Sequence, residues 1–401
     1  MSWIKYGRKS RRFDLIKKKW QRIAFAILAV VMSIAMFASC KGGTTVTTTI
    51  TKTDTVTKTV TETVDPVTTT TTTTTTTKEP EPVDTSFTVT DMMGVEVTFP
   101  DVPKTIATFG SIGVLNTFVE ALGCGDRICN KMTSNFESTK SYPHLRVEFA
   151  PQTVDAPLLT NSDGELLIEE ILLLKPDLCL TMTKATAEQL RKQGLNVVLL
   201  EWRVQDDVYT AVRLMGKILG KEQLAEEYIA YFDGMVERAA ELTKNLTEEQ
   251  KATALYGNIT SYSQPHIIAE WWIPTAGGIS VTNNGRPDTE SYNFTLEDLL
   301  LWDPDVLFCS ARAQIKELTT NPIYADLKAV KNGKVYCVPT VGHAWGNRTV
   351  EQPLTIFWAM NKMYPELVTD KMLSDEIYYF YDHFFNYKLS AEQLATFVEG
   401  K

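Results

Sequence analysis

The sequence predicts an α/β fold of two lobes, each with a mostly parallel sheet, joined by a single long helix. Three observations support this prediction. Short apolar runs alternate with amphipathic helical stretches from Phe87 onward, a pattern typical of βαβ units and parallel sheets. A segment around Glu169 recurs around Glu297. Between these copies lies a long helical pattern with few interruptions.

The first lobe is expected at residues 87–220. Its predicted strands are apolar runs, Thr105–Phe109, Asp177–Thr181 and Asn196–Leu200. Its predicted helices are the amphipathic stretches Val114–Leu122 and Ala185–Gln193. The second lobe is expected at residues 251–401, with strands at Thr253–Tyr256, Val306–Phe308 and Val335–Val338.

The two lobes are related by an internal repeat. Leu167–Asp177 aligns with Thr295–Asp305 at a constant offset of 128 positions, as from Glu169 to Glu297. Each copy is a helical segment ended by a proline, which cannot continue the helix, and followed by an apolar strand. The repeat therefore predicts two lobes of similar α/β construction.

A linking helix is expected at residues 221–250. From Lys221 to Leu246 its only potential breaker is Gly234, and a single glycine costs a helix about 1 kcal/mol relative to alanine. A helix of this length would extend about 39 Å. This predicts a rigid strut between the lobes rather than a core helix.

The N-terminus has the composition of an export signal. Residues 1–39 carry nine basic side chains and one acid, Asp14, and an uncharged, mostly apolar run reaches from Ile23 to Ser39. Phe37–Cys40 resembles the lipobox of prokaryotic lipoproteins, although that motif usually has Leu at the place of Phe37. We expect a lipoprotein signal peptide with Cys40 as the lipidated residue. An uncleaved membrane anchor is the alternative, although the run from Ile23 to Ser39 is marginal in length for spanning a hydrocarbon core of about 30 Å.

Residues 40–86 are predicted to be a disordered, Thr-rich tether. They include an unbroken run of threonine from Thr68 to Thr77 and have no aromatic residue before Phe87. Such a composition buries too little apolar surface to offset the entropy of ordering.

Composition excludes several classes of function. The net charge is −9 although the leader is strongly basic, so the remainder of the chain is acidic and binding to nucleic acid is disfavoured. A Gly-x-Ser-x-Gly elbow, a P-loop and a His-Glu-x-x-His motif are missing from the sequence, which argues against an enzyme. The four histidines are scattered, which argues against a metal site of protein ligands alone.

A series of short motifs occurs in one order over residues 87–398: Val89–Val97, Ala121–Arg127, the two Glu…Pro-Asp repeats, Ala276–Gly278 and Ala329–Tyr336. Together they resemble the periplasmic-binding-protein domain of iron-siderophore, haem and cobalamin uptake systems, the helix-linked class of ABC-importer substrate-binding proteins. The resemblance implies two Rossmann-like lobes with a ligand cleft between them.

Candidate ligand-binding residues follow the carboxyl ends of the predicted strands, where doubly wound folds place their sites. They combine hydroxyl, aromatic and cationic groups: Ser111, Thr183, Trp202, Arg203, Tyr262, His266, Arg312, His343, Trp345 and Arg348. Arginine offers forked donors to anionic oxygens, and Trp345 is expected to supply stacking area. Each arginine could instead serve a surface ion pair, and each tryptophan could pack in the core.

The histidines and cysteines leave alternatives open. His266 or His343 could fill an open position on a chelated metal or ligate haem iron. Cys124 and Cys129 are close enough in sequence to form a disulfide if their loop permits. Cys179, Cys309 and Cys337 lie on predicted buried strands, and all five are interpreted as structural.

The resemblance implies that Glu169 and Glu297 dock onto arginines of the permease, one on each lobe. Each could alternatively complement a helix macrodipole and do nothing more.

The favoured function is an extracytoplasmic, lipid-anchored solute-binding protein of the cell membrane that captures a metal chelate and delivers it to an ABC importer permease. A ferric siderophore is the favoured ligand, followed by haem or a corrinoid such as cobalamin. We expect a monomer that has no catalytic residue, no intrinsic cofactor and no nucleic-acid partner. A surface sensor of the same fold without transport is the main alternative, and an enzyme comes third.

Overall fold

The computed structural model describes residues 85–132, 145–283 and 285–400. The predicted signal peptide, its lipidation site Cys40, His144 and nearly all of the tether lie outside the described residues. In the part of the chain that is described, no helix is both long and apolar enough to span a membrane.

Strands and helices alternate along most of the described chain. The strands are β1 (Phe87–Thr90), β2 (Glu96–Phe99), β3 (Ile106–Phe109), β4 (Leu178–Thr181), β5 (Val197–Leu199), β6 (Thr253–Gly257), β7 (Ser263–Gln264), β8 (Ile279–Ser280), β9 (Tyr292–Asn293), β10 (Val306–Cys309) and β11 (Val335–Cys337). The helices are α1 (Ile112–Glu120), α2 (Arg146–Phe149), α3 (Ile168–Leu174), α4 (Lys184–Arg191), α5 (Gln205–Leu219), α6 (Glu222–Thr243), α7 (Ala269–Thr275), α8 (Leu296–Trp302), α9 (Ala313–Thr320), α10 (Lys328–Lys331), α11 (Gln352–Met363), α12 (Asp370–Phe384) and α13 (Ala391–Glu399).

The N-terminal lobe contains a parallel sheet with the order β3-β4-β5 among the described residues. Ile106 lies opposite Leu178, and Cys179 lies opposite Val197. Every residue of these three strands is buried, as expected for parallel strands covered on both faces. The antiparallel hairpin of β1 and β2 is separate from this sheet.

The C-terminal lobe contains a second parallel sheet, with the order β11-β10-β6-β8 in the described part of the chain. Leu307 lies opposite both Val335 and Leu255. Helix α11 is buried along its whole length, and its Trp358 ring centroid lies 5.4 Å from that of Phe308. These two sheets confirm the predicted α/β fold with mostly parallel strands.

The repeat has a physical basis in a hydrogen-bond pattern that is present in both lobes. Asp177 Oδ2 accepts hydrogen bonds from the backbone nitrogen and hydroxyl of Thr105 at 2.9 and 3.0 Å. Asp305 Oδ2 accepts from the same two groups of Thr253 at 2.9 and 2.8 Å. In each lobe, the aspartate after the helix-ending proline therefore ties the start of one strand to its neighbour.

The helix between the lobes is shorter and more buried than predicted. Helix α6 has 22 residues, about 33 Å at 1.5 Å per residue, and packs against α5 on one side and α11 on the other. Tyr228 and Phe232 are 1% and 0% exposed. The strut interpretation is therefore corrected: α6 joins the lobes with one face inside the core. The domain limits 87–220, 221–250 and 251–401 stay a prediction.

Candidate functional site

The lobes meet along the segment that follows β11. The backbone nitrogen of Leu145 donates to Val341 O at 3.1 Å, and Arg146 Nε donates to Gly342 O at 2.7 Å. A Cβ atom at Gly342 would lie 2.7 Å from Thr117 Cγ2 of the other lobe. Glycine is therefore required for this close approach.

A pocket of about 580 Å³ lies between residues of the two lobes. Arg203 and Val204 line it from the N-terminal lobe, and Ile267 and Trp271 line it from the C-terminal lobe, together with Arg348. Trp271 rests edge-on against Phe232 of α6, with ring centroids 5.9 Å apart. The pocket thus combines apolar walls with two guanidinium groups and the carboxyl groups of Asp207, Glu270 and Asp288. Its volume is ordinary for a small-molecule site.

Arg348 holds a carboxylate at the pocket with both arms of its guanidinium. Its Nη1 and Nη2 donate to the two oxygens of Glu290 at 2.7 and 2.9 Å, and the Arg348 side chain is 9% exposed. His266 Nδ1 lies 3.1 Å from the same carboxylate. Burial alone would raise the pKa of Glu290, but the bonds and charges of Arg348 and His266 outweigh burial and lower it.

Arg203 supplies the second guanidinium of the pocket. Its backbone oxygen accepts a hydrogen bond from Arg348 Nε at 2.5 Å, while its backbone nitrogen donates to Asp207 Oδ2 at 2.7 Å. Among the described residues, no ion pair or hydrogen bond engages the Arg203 guanidinium. This cation is therefore positioned beside the pocket with its donors available.

The two tryptophans expected to face a ligand are in the core instead. Trp345 is 0% exposed, and its indole nitrogen donates to Glu351 and to Tyr381 Oη. Trp202 is 6% exposed and packs against Phe118 with ring centroids 4.8 Å apart. The prediction that Trp345 stacks on a ligand is therefore wrong, because its ring is enclosed by protein.

Of the ten residues that line the pocket, the prediction from strand ends included only Arg203 and Arg348. It missed Trp271, which lines the pocket, and Glu290, which bonds Arg348. Trp271 lies on helix α7 and Glu290 lies on the loop before β9, so neither follows directly the carboxyl end of a strand in the parallel sheets. No local sequence signal distinguishes them.

Two other predicted residues, Ser111 and Thr183, lie in the loops that follow strands β3 and β4. Ser111 precedes α1 and Thr183 precedes α4, and both are exposed. Thr183 Oγ1 lies 3.7 Å from the position that a Cβ atom at Gly110 would take, so these two loops adjoin. The structure brings neither residue to the pocket wall, and their roles in ligand binding stay predictions.

Tyr262 and Arg312 are likewise not among the residues that line the pocket. Tyr262 Oη lies 3.0 Å from Tyr324 Oη. Arg312 precedes α9, and its charge opposes the burial that raises the pKa of Cys337 to about 12. The predicted contact of Arg312 with a ligand remains a prediction.

His343 is held as a neutral imidazole. Its Nδ1 is buried without a hydrogen-bond partner among the described residues. Burial, followed by the nearby charges of Arg146 and His266, lowers the pKa of His343 to about 3. In the described part of the chain, no group of three or more His, Cys, Asp or Glu side chains is placed to hold a metal ion.

A buried charged group lies where the lobes meet. Glu351 is 0% exposed and Glu120 is 2% exposed, with Arg146 nearby at 4%. Glu351 accepts hydrogen bonds from the backbone nitrogens of Gly342 and His343 at 2.9 and 2.6 Å. Neither carboxylate oxygen of Glu120 has a partner among the described residues. Burial and the charge of Glu351 raise the pKa of Glu120 well above 4.5, against the opposing charge of Arg146.

Glu120→Gln is expected to remove part of the pH dependence of stability. Since the folded pKa of Glu120 is raised, the stability that its proton supports is complete below pH 4.5 and is lost as pH rises through the folded pKa. The free energy of unfolding, measured in urea, should fall between pH 5 and pH 8. This fall should be larger in the parent protein than in Glu120→Gln by about 1 kcal/mol or more. Parallel pH profiles of the two proteins would contradict a protonated Glu120.

The cysteines of the described part are free thiols: Cys124, Cys129, Cys179, Cys309 and Cys337. The possible bridge between Cys124 and Cys129 is therefore not present. Burial raises the pKa of Cys129 to about 11 and that of Cys179 to about 12. High pKa values disfavour the reactive thiolate, in agreement with a structural role.

Glu169 and Glu297 lie in the first turns of α3 and α8, and both are exposed. Their neighbourhoods differ slightly, because Thr295 and Asp298 form a capping box at α8 whereas α3 has no side-chain cap. The equivalent positions of the two acids agree with the repeat, and their docking role stays a prediction.

The fold and sequence are similar to those of known proteins. The chain is 28% identical over 177 residues to the Fe(3+)-citrate-binding protein YfmC of Bacillus subtilis (strain 168), covering 42% of this chain and 55% of the relative. It is 26% identical over 220 residues to the putative ABC transporter substrate-binding lipoprotein YhfQ of the same organism, covering 47% and 67%. The chain thus spans between about half and two thirds of the length of these relatives.

A solved structure extends this similarity over nearly the whole described fold. The periplasmic solute binding protein from Veillonella parvula DSM 2008 matches with a TM-score of 0.67 and 22% identity, covering 78% of this chain and 96% of that one. At this identity the match concerns the fold alone.

The family comparison covers more than half of the sequence. Residues 118–341 match the family described as "Periplasmic binding protein". This segment begins within α1 and ends after β11, so it includes strands β4 and β5 of the first parallel sheet, the whole second sheet, helix α6 and every residue lining the pocket except Arg348. The chain therefore belongs to the periplasmic binding protein family.

Proposed function

We propose that the chain is an extracytoplasmic solute-binding lipoprotein that captures an anionic ferric chelate and delivers it to an ABC importer permease. Family membership supports a binding function. The names of two relatives, an Fe(3+)-citrate-binding protein and a putative substrate-binding lipoprotein, support iron as the cargo and a lipid anchor.

The observation that carries this proposal is the carboxylate of Glu290 in the fork of Arg348, beside the unengaged guanidinium of Arg203. Arginine binds a carboxylate in this bidentate geometry whether the carboxylate belongs to the protein or to a ligand. A ligand carboxylate entering the pocket would therefore find Arg203 available and could exchange with Glu290 on Arg348. Iron chelates built on carboxylates, such as ferric citrate or a carboxylate siderophore, have the required charge.

The apolar part of the pocket favours a chelate that also has a hydrocarbon surface. Ile267, Ile268 and Trp271 line one side, and a tryptophan ring offers a large, flat contact area. A ferric siderophore with carboxylate groups satisfies both requirements. Haem ranks after it because the name of one relative points to a ferric carboxylate. His266 beside the pocket would nonetheless suit haem iron, since its Nδ1 bonds Glu290, burial lowers its pKa so that it is neutral, and Nε2 is left for a metal.

Titration of the purified full chain tests the proposal. Ferric citrate, a ferric carboxylate siderophore, haem and cobalamin would each be added while the fluorescence of the tryptophans is recorded. Because Trp271 lines the pocket, binding of a ferric chelate should change its emission, and iron-free citrate should compete weakly. Saturable binding of haem or cobalamin, with none by any ferric carboxylate chelate, would contradict the proposed ligand.

The proposal includes lipidation at Cys40 and docking through Glu169 and Glu297. Two acyl chains on Cys40 would give a stable membrane anchor, which a single chain does not. Mass spectrometry of the N-terminal peptide would contradict the anchor if it found the leader intact and Cys40 unmodified. Exposed acidic side chains at the rim of an interface raise the association rate with a basic partner and help to align the two proteins. Their effect weakens as the salt concentration rises.

A further inference from the structure

Arg286 is a buried arginine with unpaired donors. Its side chain is 2% exposed. One terminal nitrogen, Nη2, donates to the backbone oxygens of Thr289 and Glu290, each at 2.9 Å. The other two nitrogens, Nε and Nη1, are buried and have no hydrogen-bond partner among the described residues. Unpaired N–H groups on a buried charge are costly, so this arrangement requires a physical explanation.

The neighbouring carboxylate of Glu270 does not satisfy these donors. Glu270 Oε1 lies 3.8 Å from Arg286 Nη1, which is too long for a hydrogen bond. This oxygen accepts instead from the hydroxyl of Thr282 at 2.5 Å. The ring of Tyr292 lies 5.4 Å from the guanidinium carbon of Arg286, and it attracts the charge without pairing an N–H group. Arg286 therefore has favourable charges around it but lacks an acceptor for Nε and Nη1.

Glu290 adjoins Arg286 through its backbone and Arg348 through its side chain. Both Glu290 and Arg286 lie in the loop between β8 and β9, and the Glu290 backbone oxygen accepts from Arg286 Nη2. The Glu290 side chain is 41% exposed, so it is not packed in place on every side. Burial lowers the pKa of Arg286, and the charges of Glu270 and Glu290 oppose that effect. Glu290 therefore already interacts with two arginines.

A ligand carboxylate can use Arg348 only if Glu290 leaves it. Both terminal nitrogens of Arg348 donate to Glu290, and Arg348 Nε donates to the backbone oxygen of Arg203. The Arg348 side chain is 9% exposed, so little of it is open to a second anion. A displaced Glu290 would remain close to the incoming negative charge, which repels it. The displaced carboxylate therefore needs another cation.

We infer that Glu290 exchanges between two arginines. Arg348 holds it in the structure described here, and Arg286 holds it once a ligand carboxylate occupies Arg348. The unpaired Nε and Nη1 of Arg286 supply the donors that the displaced carboxylate requires. Arg286 is thus a positioning residue, because it acts on ligand binding through Glu290 and not by touching the ligand. This inference rests on the proposed function, since it describes how an anionic chelate enters that pocket.

A double-mutant cycle between Arg286 and Glu290 tests the exchange. Arg286→Gln and Glu290→Gln are made singly and together in the full chain, and isothermal titration with ferric citrate gives each dissociation constant. Arg286→Gln alone should raise the dissociation constant by about tenfold, because the displaced carboxylate loses a charged hydrogen bond. In the Glu290→Gln background the same substitution should change it by less than about twofold, because no carboxylate has to be rehoused.

A purely structural role of Arg286 predicts a different cycle. Arg286 also bonds the backbone at Thr289 and Glu290, so its replacement could disturb the loop. Such damage would weaken binding by the same factor in both backgrounds, and equal losses would overturn the inference. Arg286→Lys keeps the charge and serves if Arg286→Gln does not fold. It should give a smaller loss of affinity, again only when Glu290 is present.

Arg238 provides the matched control. It also bonds a carboxylate, that of Glu376, and lies over an aromatic ring, that of Phe357, at 4.5 Å from the ring centroid. It does not line the pocket. Arg238→Gln should therefore leave the affinity for ferric citrate at the parental value, both with Glu290 and in the Glu290→Gln background. A loss as large as that of Arg286→Gln would show that any such arginine affects binding, which contradicts the exchange.

A crystal structure of the ferric citrate complex gives a second readout. The Glu290 carboxylate should lie within hydrogen-bond distance of Arg286 Nε or Nη1, with a citrate carboxylate on Arg348. A complex in which Glu290 stays on Arg348, or turns to solvent away from both arginines, would overturn the inference and leave the proposed function intact. If the parent chain binds no ferric chelate in titration, the proposed function fails and the inference fails with it.

Discussion

Replacing Arg348 by Ala is expected to raise the dissociation constant for an anionic ferric chelate by about 10- to 150-fold, the equivalent of the 1.5–3 kcal/mol typical of a charged hydrogen bond. The expectation follows from the near-complete burial of the side chain and its two bonds to one carboxylate. Arg348→Lys should give an intermediate loss, because lysine keeps the charge and lacks the planar fork. Isothermal titration with ferric citrate measures both values.

A second pair of variants separates ligand contact from damage to the contact between the lobes. Arg348 also donates to Arg203 O, so its loss could loosen that contact. Arg203→Ala removes a guanidinium that bonds no described residue and should weaken binding in the same direction. Glu290→Gln should tighten binding by up to about fivefold, since a half-exposed ion pair is worth about 0–1 kcal/mol.

Arg213→Ala provides the matched control for loss of a charge. Arg213 pairs with Glu226 in an exposed position, with side chains 51% and 59% exposed, and does not line the pocket. Its replacement should leave chelate affinity unchanged. If Arg348→Ala and Arg203→Ala both bind ferric citrate as tightly as Arg213→Ala does, the two arginines serve only internal contacts.

Glu351→Ala is expected to destabilise the protein by about 3–5 kcal/mol, the usual cost of removing one partner from a buried charged group. Glu351 accepts hydrogen bonds from two backbone nitrogens, from Trp345 Nε1 at 3.3 Å and from Tyr381 Oη at 2.5 Å. Alanine would leave the buried backbone nitrogens of Gly342 and His343 without this acceptor, and Arg146 would lose a nearby negative charge. Most domains have only about 5–15 kcal/mol of stability in total.

Equilibrium unfolding in urea measures this loss. Glu226→Ala is the control, because Glu226 is an exposed acid in an ion pair and its loss should cost no more than about 1 kcal/mol. The stability of Glu351→Gln should lie between those of these two variants. Its amide keeps one acceptor oxygen but replaces the other with an NH2 group, which is a donor and faces groups that are themselves donors. A Glu351→Ala protein as stable as Glu226→Ala would show that the surrounding donors find other acceptors.

The strands that follow the repeat illustrate what local sequence could predict. β4 and β10 were expected from apolar runs after a Pro-Asp pair, and both form, with Cys179 and Cys309 buried in them. The proline ends each helix because it cannot continue the hydrogen-bond ladder, and the aspartate bonds the start of the neighbouring strand. These are short-range effects, so they are visible in a few consecutive residues.

The length of α6 shows where a local pattern reaches its limit. Apolar spacing correctly indicated a long helix but not where it ends, because the pattern from Lys221 to Leu246 has no strong breaker. In the structure the helix ends at Thr243, and Thr247 with Gln250 forms a capping box that starts a separate 3-10 turn. The burial of one helix face depends on α5 and α11, which are remote partners.

The sequence by itself determined the α/β class, the repeat, the buried strands and the resemblance to a family, because each depends on residue order over short segments. Only the tertiary structure decided that Trp345 is enclosed while Trp271 lines the pocket, and that Glu290 meets Arg348 across 58 residues. A tryptophan or an arginine looks the same in a sequence whether it faces a ligand or the core. Its surroundings depend on how the two lobes and the helix between them pack, which brings together residues remote in the chain.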